Sequence, residues 1–512
     1  MQKSIDPYMK IYPYMKKILL ALAWTTSLIS CADAAPADAV TQADLKALIE
    51  RINRLEAENK AQAKRIAELE GRVLSDKAAT GAVLPNEAAT NEMEIAKDED
   101  THVSESGRIW TTGNGKKFLL ADSTANLFQP LTAQGLTFTP YGYITFEAIH
   151  NTHKTDVDAY TDWVRPRRNG GRNGDHQTVF SMNDSILGFN VGSAELQNGW
   201  KFGGKFEFDL AGDDADHPDF HFRHLYFDME NKDGWSFLFG QTWHIWKMVA
   251  PQEIDGAWLE QTGYPFRRSP QARVTKRWEF EDGGAIEARV GLVKNGNGMG
   301  GDRDGDANQD NTGSAWCLVE GALLYDRRTF WEDTDRRWLV GVGGMYGRDK
   351  SHRVFMDEDG GFERYGKSDE YDSDMVMVAG KLPFLEKFTL TGQLFAGENL
   401  GGVQAGIGQT VAITDPTRKG REVSTVGGFA DLRFDLNDMW AFAVGYGADD
   451  PTDREAKHAA DRIYNGRAYA DVFYQFNANI RFALEYARLQ TKYYAQDDAD
   501  DDRIQFSAYL DF

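Results

Sequence analysis

The sequence predicts a sixteen-stranded antiparallel transmembrane β-barrel preceded by an N-terminal α-helical trimeric coiled coil. Three observations carry that reading. Apolar and polar side chains alternate from residue 138 onward, the links between these segments are short and long in turn, and aromatic residues recur where strands leave the short links. Composition agrees: 41% hydrophobic residues, 12% aromatics and 50 glycines suit strands that show one face to oil and one to water.

The chain begins with a predicted export signal over 1–34. Met15 reads as the working start, followed by Lys16-Lys17, an apolar stretch from Ile18 to Ile29, and Ala32-Asp33-Ala34 as a small-x-small cleavage site. The apolar stretch of 12 residues is too short for a spanning helix, which needs about 20. A second reading makes Leu28-Ile29-Ser30-Cys31 a lipoprotein signal with Cys31 acylated; both readings export the protein. With Cys31 in the targeting segment, Cys317 has no partner for a disulfide in the mature chain.

Residues 45–74 predict a coiled coil. Leu45, Leu48, Ile52, Leu55, Asn59, Gln62, Ile66, Leu69 and Val73 are spaced by alternating threes and fours, so one seam faces partner helices. Arg51, Ile52, Leu55 and Glu56 recur one period later as Arg65, Ile66, Leu69 and Glu70, a pattern that resembles a known trimerisation signature. In it the arginine stem covers the seam while its guanidinium reaches a neighbouring glutamate. Residues 75–137 carry no sustained period and read as a linker.

The barrel is expected over 138–512. Trp200–Leu210 is its clearest strand, with Trp200, Phe202, Gly204, Phe206, Phe208 and Leu210 on one face and Lys201, Gly203, Lys205, Glu207 and Asp209 on the other. Strands are expected at 138–150, 184–195, 200–210, 220–230, 235–246, 272–281, 285–294, 315–325, 337–348, 371–382, 388–397, 424–436, 440–448, 464–476, 480–493 and 502–512, an even number as single-chain bacterial barrels require. Links after even strands are short and those after odd strands long; 326–336 fits least well. Trp200, Trp235, Trp338, Trp440, Phe388 and Phe512 all fall at the short-link end, where an interfacial girdle belongs. A terminal Phe after an alternating strand also resembles the recognition signal of the barrel assembly machinery.

Charge excludes one class of partner: 79 acidic against 57 basic residues give a net charge of -22, which argues against nucleic acid. Much of the acidity lies in 209–219, 302–310, 357–374 and 497–502, all expected in loops or at strand ends. Asp302, Asp304, Asp306, Asn308 and Asp310 resemble a calcium loop but lack the glycine at position six and the closing glutamate, so a solvated acidic loop is the plainer reading. The same holds for Asp213, Asp214, Asp216, His217 and Asp219. His221 and His224, three apart on a strand, should face opposite ways and share no metal. No cofactor is called for, and no serine elbow or histidine–acid spacing suggests an enzyme.

Over 220–278 the chain resembles the DcaP-type family of trimeric porins. The matching residues are Phe222-Arg223-His224-Leu225-Tyr226, Gly240-Gln241-Thr242-Trp243 and Arg268-Ser269-Pro270-Gln271-Ala272-Arg273. The resemblance implies a periplasmic coiled coil before a sixteen-stranded outer-membrane barrel, and uptake of small anionic solutes such as dicarboxylates. Expected partners are two further copies of the chain, outer-membrane lipids and lipopolysaccharide, the barrel assembly machinery, and peptidoglycan. A structural role, linking the membrane to peptidoglycan through the coiled coil, is the alternative.

A barrel of this size leaves a wide channel unless a loop folds inward. The third long loop, 247–271, with Trp258, Tyr264, Pro265 and Phe266, is the expected constriction, flanked by Arg267, Arg268, Arg273 and Arg277. Lys201, Lys205, Arg289, Arg433, Arg467, Arg481 and Arg503 are expected on the lumen face beside Glu207, Glu279, Glu287, Asp431, Asp471 and Glu485. The wall count alone does not fix selectivity; the expectation of anion preference comes from the arginines at loop three and the family resemblance.

Overall fold

The computed structural model describes residues 131–512, apart from 134, 167–173, 194, 197–198, 212–219, 257, 296–315, 330–335, 357–361, 413–418 and 452–460; for strand residues between 351 and 368 it describes the backbone alone. The export signal, the coiled coil with Arg51, Ile52, Leu55, Glu56, Arg65, Ile66, Leu69 and Glu70, and the acidic runs 213–219 and 302–310 lie outside the described residues.

Sixteen strand positions close into one antiparallel ring. They are β1 (Leu136–Asn151), β2 in two pieces (Gln177–Ser181 and Ile186–Ser193), β3 (Trp200–Asp209), β4 (His221–Asn231), β5 (Trp235–Trp243), β6 (Arg268–Glu279), β7 (Gly284–Val293), β8 (Leu318–Arg328), β9 (Arg337–Met356), β10 (Phe362–Leu385), β11 (Phe388–Glu398), β12 (Ser424–Asp435), β13 (Trp440–Pro451), β14 (Arg462–Gln475), β15 (Ile480–Tyr493) and β16 (Ala499–Asp511). Each pairs with the next, and β16 returns to β1 from Tyr143↔Asp511 to Asn151↔Arg503. Closure leaves no edge with unmet backbone groups, which is what lets strands stand in a bilayer. Phe512 completes the seam by exchanging both backbone hydrogen bonds with Gly142, at 3.2 and 3.0 Å.

Turn chemistry sets the short links. Gly199, Gly234 and Gly283 adopt φ of 78°, 80° and 78°, where a side chain would be strained. Asn437 and Asn477 instead accept backbone N–H bonds two and three residues on, including Trp440 at 2.9 Å and Ile480 at 2.8 Å. Above these turns the outward faces are aromatic: Phe388 stacks on Phe434 at 4.7 Å, and Trp440 lies 4.5 Å from Tyr474. Beyond that level the wall turns aliphatic, with Leu323, Val340, Val444, Leu484 and Ile504 exposed outward.

Three differences from the sequence expectation have physical causes. The pair β9–β10 continues past the oil-facing zone, so 349–370, expected as a loop, is largely paired strand ending at Met356↔Phe362. Backbone pairing needs no apolar face once strands leave the membrane, so alternation fell silent there while the ladder went on. Strand β2 is broken at 182–185, and both pieces pair with β1. Ser185 Oγ accepts the Thr145 N–H that the break leaves over, at 3.1 Å. Strand β6 begins at Arg268 rather than 272, so Arg268 is a strand residue and the third loop, L3, spans 244–267.

The hydrophobic core lies inside the barrel. Leu324, Leu339, Met375, Met377 and Phe395 on β8–β11 pack against Ile245, Trp246, Met248, Val249, Tyr264 and Phe266 of L3, with Leu400, Val403 and Ala405 of the sixth loop, L6 (399–423). Small wall residues make the room. A Cβ at Gly343 would come within 3.0 Å of Trp246 Cβ and one at Gly291 within 2.7 Å of Ile245 Cδ1. At Gly447 it would collide with the Thr262 carbonyl oxygen.

Candidate functional site: the lumen and its inward loop

L3 leaves β5, crosses the lumen to the far wall and returns to β6. Its outward leg is fixed at His244, 2.5 Å from Glu320, and at Ile245, whose N–H donates to Glu320 at 2.8 Å. Gln252 then donates its N–H to Asp431 at 3.1 Å, and Ile254 to Glu485 at 3.1 Å. At the tip Trp258, Leu259 and Gln261 take left-handed φ of 48°, 58° and 58°, a costly conformation for side-chain-bearing residues that the surrounding contacts must hold. Asn465 caps this turn by donating to the Gln261 carbonyl at 2.9 Å.

An ionic cluster pins the tip. Arg467 of β14 reaches Glu253 at 2.5 Å and Asp255 at 2.6 Å on L3, and Glu485 on β15 at 2.8 Å. Arg503 lies 3.3 Å from Asp255 and donates to the Ala159 carbonyl and the Thr161 hydroxyl of the first loop, L1, at 3.1 and 3.2 Å. Both arginine side chains are fully buried. They point inward, as alternation implies, but L3 and L1 cover them. Burial holds the Glu253 carboxyl above the usual range despite the Arg467 guanidinium beside it.

The other wall remains more open. Along β3–β7 the inward residues Lys201, Lys205, Arg273, Arg277, Glu287 and Arg289 are partly or fully exposed, whereas inward residues of β14–β16 are mostly buried. Lys205 lies 3.9 Å from Glu207, Arg277 is 2.8 Å from Asp326 and 3.5 Å from Glu287, and Arg289 is 2.5 Å from Glu287. At the root of L3, Arg267 donates to the Gly402 carbonyl at 2.7 Å, and the Arg268 guanidinium lies 4.4 Å over the Trp243 ring. Arg433 and Arg481 sit at the short-turn mouth, paired with Asp435 and Asp511 at 2.8 Å each. They help line a shallow recess with Phe473 and Tyr509.

Two basic residues here were not legible in advance. A bulge between Glu207 and Phe208 shifts the β3–β4 register. It places Arg223 between Glu207 and Asp209, at 2.6 Å from each. The same shift corrects the expectation for the neighbouring histidines: His221 contacts Asp209 at 3.0 Å and His224 approaches Glu207 at 3.7 Å, so both turn inward. Lys247 of L3 stands 3.8 Å over Trp243 and 5.3 Å over Trp258. Burial first and the Asp156 charge second push Glu260 up to about 8, against the pull of Arg267 and Arg268. Burial likewise lifts Asp156 of L1 to about 6.

No family model and no curated protein matches the chain. Among solved structures it is similar to the outer membrane channel DcaP of Acinetobacter baumannii, with 16% identity and a TM-score of 0.57 over 75% of this chain and 100% of that one. It also matches an anion-selective porin from Comamonas acidovorans (11% identity, TM-score 0.45, 74% of this chain and 100% of that one). Salmonella typhi OmpF in complex with daunomycin matches at 15% identity, TM-score 0.46, over 75% of this chain and 100% of that one. The likeness to DcaP shows that the chain shares the barrel fold of that outer membrane channel.

Proposed function

We propose that this protein is a DcaP-like outer-membrane porin, a passive channel for small hydrophilic solutes that favours anions such as dicarboxylates. The observation that carries the proposal is the inward-folded L3, which packs on the β8–β16 side while Lys201, Lys205, Arg273, Arg277 and Arg289 of β3–β7 keep some exposure; we read the charged passage as running along that side. Lys247, Arg267 and Arg268 at the root of L3 face that passage together with Lys201, Lys205, Arg273, Arg277 and Arg289. Wall carboxylates offset many of these charges; at the root of L3, Glu260, lifted to about 8, stays protonated at neutral pH beside Arg267 and Arg268, and the preference arises there. The protein works as a homotrimer joined through residues 45–74 in the periplasm. Its aromatic girdle meets membrane lipid and lipopolysaccharide, its strand β16 engages the assembly machinery, and the coiled coil reaches toward peptidoglycan.

Swelling of proteoliposomes in isosmotic solutes tests this reading. Size-matched dicarboxylates should enter faster than neutral solutes, and neutral solutes faster than diamines. Equal or reversed rates would remove the anion preference, and absence of swelling in every solute would remove the channel.

A further inference from the structure

One pair of side chains serves neither the lumen nor the lipid-facing band. His150 on β1 and His176, just before β2, both face outward at the long-loop end of the barrel. The register places Thr178 directly opposite His150, with His176 one outward step further along the same edge. His150 Nε2 and His176 Nδ1 stand 3.4 Å apart, and the ring centroids 5.5 Å apart. On its other side, His150 Nδ1 lies 2.8 Å from Thr178 Oγ1.

These distances have a specific chemical meaning. A hydrogen bond between two ring nitrogens is best near about 3 Å, so 3.4 Å is long for one. A tetrahedral zinc ion bound at about 2.0–2.1 Å holds two nitrogens about 3.3–3.4 Å apart. If His150 donates Nδ1–H to Thr178, its Nε2 keeps a lone pair aimed at His176, the outer-shell arrangement that usually orients a ligating imidazole. His176 needs only to carry its proton on the water-facing Nε2, so both rings bind as neutral imidazoles and no proton need be released.

The geometry points to a rim site for a nitrogen-preferring divalent transition metal ion, of which zinc is the reference, held by His150 and His176 and oriented by Thr178. Two coordination positions remain for water. An imidazole pair suits such an ion better than calcium, which prefers oxygen donors, and the site takes no part in conduction.

Zinc titration calorimetry of the full chain in detergent micelles, without a polyhistidine tag and in excess calcium, tests the proposal. One zinc ion should bind per chain. His150→Ala and His176→Ala should each abolish binding, and Thr178→Val should weaken it about tenfold. All three residues lie on the outer surface, so heat-modifiable migration should report a folded barrel in each variant. A second readout needs no variant: zinc should protect His150 and His176, but not His221, from diethyl pyrocarbonate. Wild-type affinity in either histidine variant, no zinc bound by the native chain, or equal modification with and without zinc would each overturn the proposal.

Discussion

Replacing Arg467 by alanine should release the tip of L3 from the barrel wall. The guanidinium is fully buried and lies within 2.8 Å of Glu253, Asp255 and Glu485. Removing one partner from a buried ionic cluster costs about 3–5 kcal/mol, because the remaining charges stay desolvated without compensation. Lifting L3 relieves much of that cost, since Glu253 and Asp255 then reach water. If only 3 kcal/mol of it bears on seating, the ratio of seated to lifted loop falls roughly a hundredfold. Single-channel recording should show larger or flickering conductance, and protease added at the long-loop side should cut within 244–267. Arg467→Lys, which keeps the charge but loses the planar fork, should fall between. Wild-type current noise and cleavage in a correctly folded Arg467→Ala protein would refute the claim that this cluster seats the loop.

Further outcomes follow from the same packing. Gly447→Val drives a side chain into the Thr262 carbonyl and should lift L3 without touching a charge, giving the Arg467→Ala conductance together with a weaker anion preference, because the cations at the root move with the loop. Arg268→Ala and Arg273→Ala should lower the anion-to-cation permeability ratio; unchanged reversal potentials in a salt gradient would count against them. Glu260 and Asp156, lifted to about 8 and about 6, favour L1–L3 packing in their neutral forms. That stability is complete below the ordinary carboxylate range and lost as pH rises through these values, so anion preference should weaken toward pH of about 9. Glu260→Gln should flatten that dependence, and a pH-independent reversal potential in the native protein would contradict it. In a Cys317→Ser background, Lys201→Cys should be blocked by a charged thiol reagent, whereas Ala487→Cys, buried on the filled side, should resist it.

Sequence periodicity revealed the wall and not what fills it. Alternation located Lys201 and Arg467 on the same inward face, because strand geometry alone decides which way a side chain points. Which of the two stays accessible depends on L3, whose Asp255 lies 212 residues before Arg467, a contact that no local pattern encodes. A cue was present in Met375-Val376-Met377-Val378-Ala379, apolar on both faces, as a strand covered on both sides must be. Gly341, Gly343 and Gly447, small where a lumen could admit larger side chains, carried the same message. The β3–β4 bulge left no sequence mark, and so Arg223 and the inward turn of the two histidines emerged only from the fold. Likewise the broken β2, with its first piece at Gln177–Ser181, showed too short an alternating run to stand out.

Planar-bilayer recording of the purified full chain tests the central claim most directly. Stepwise currents that close in three equal sublevels, with a reversal potential of anion sign in a potassium chloride gradient, are the predicted result. A silent bilayer at protein levels where the folded barrel has demonstrably inserted, or currents selective for potassium, would contradict it.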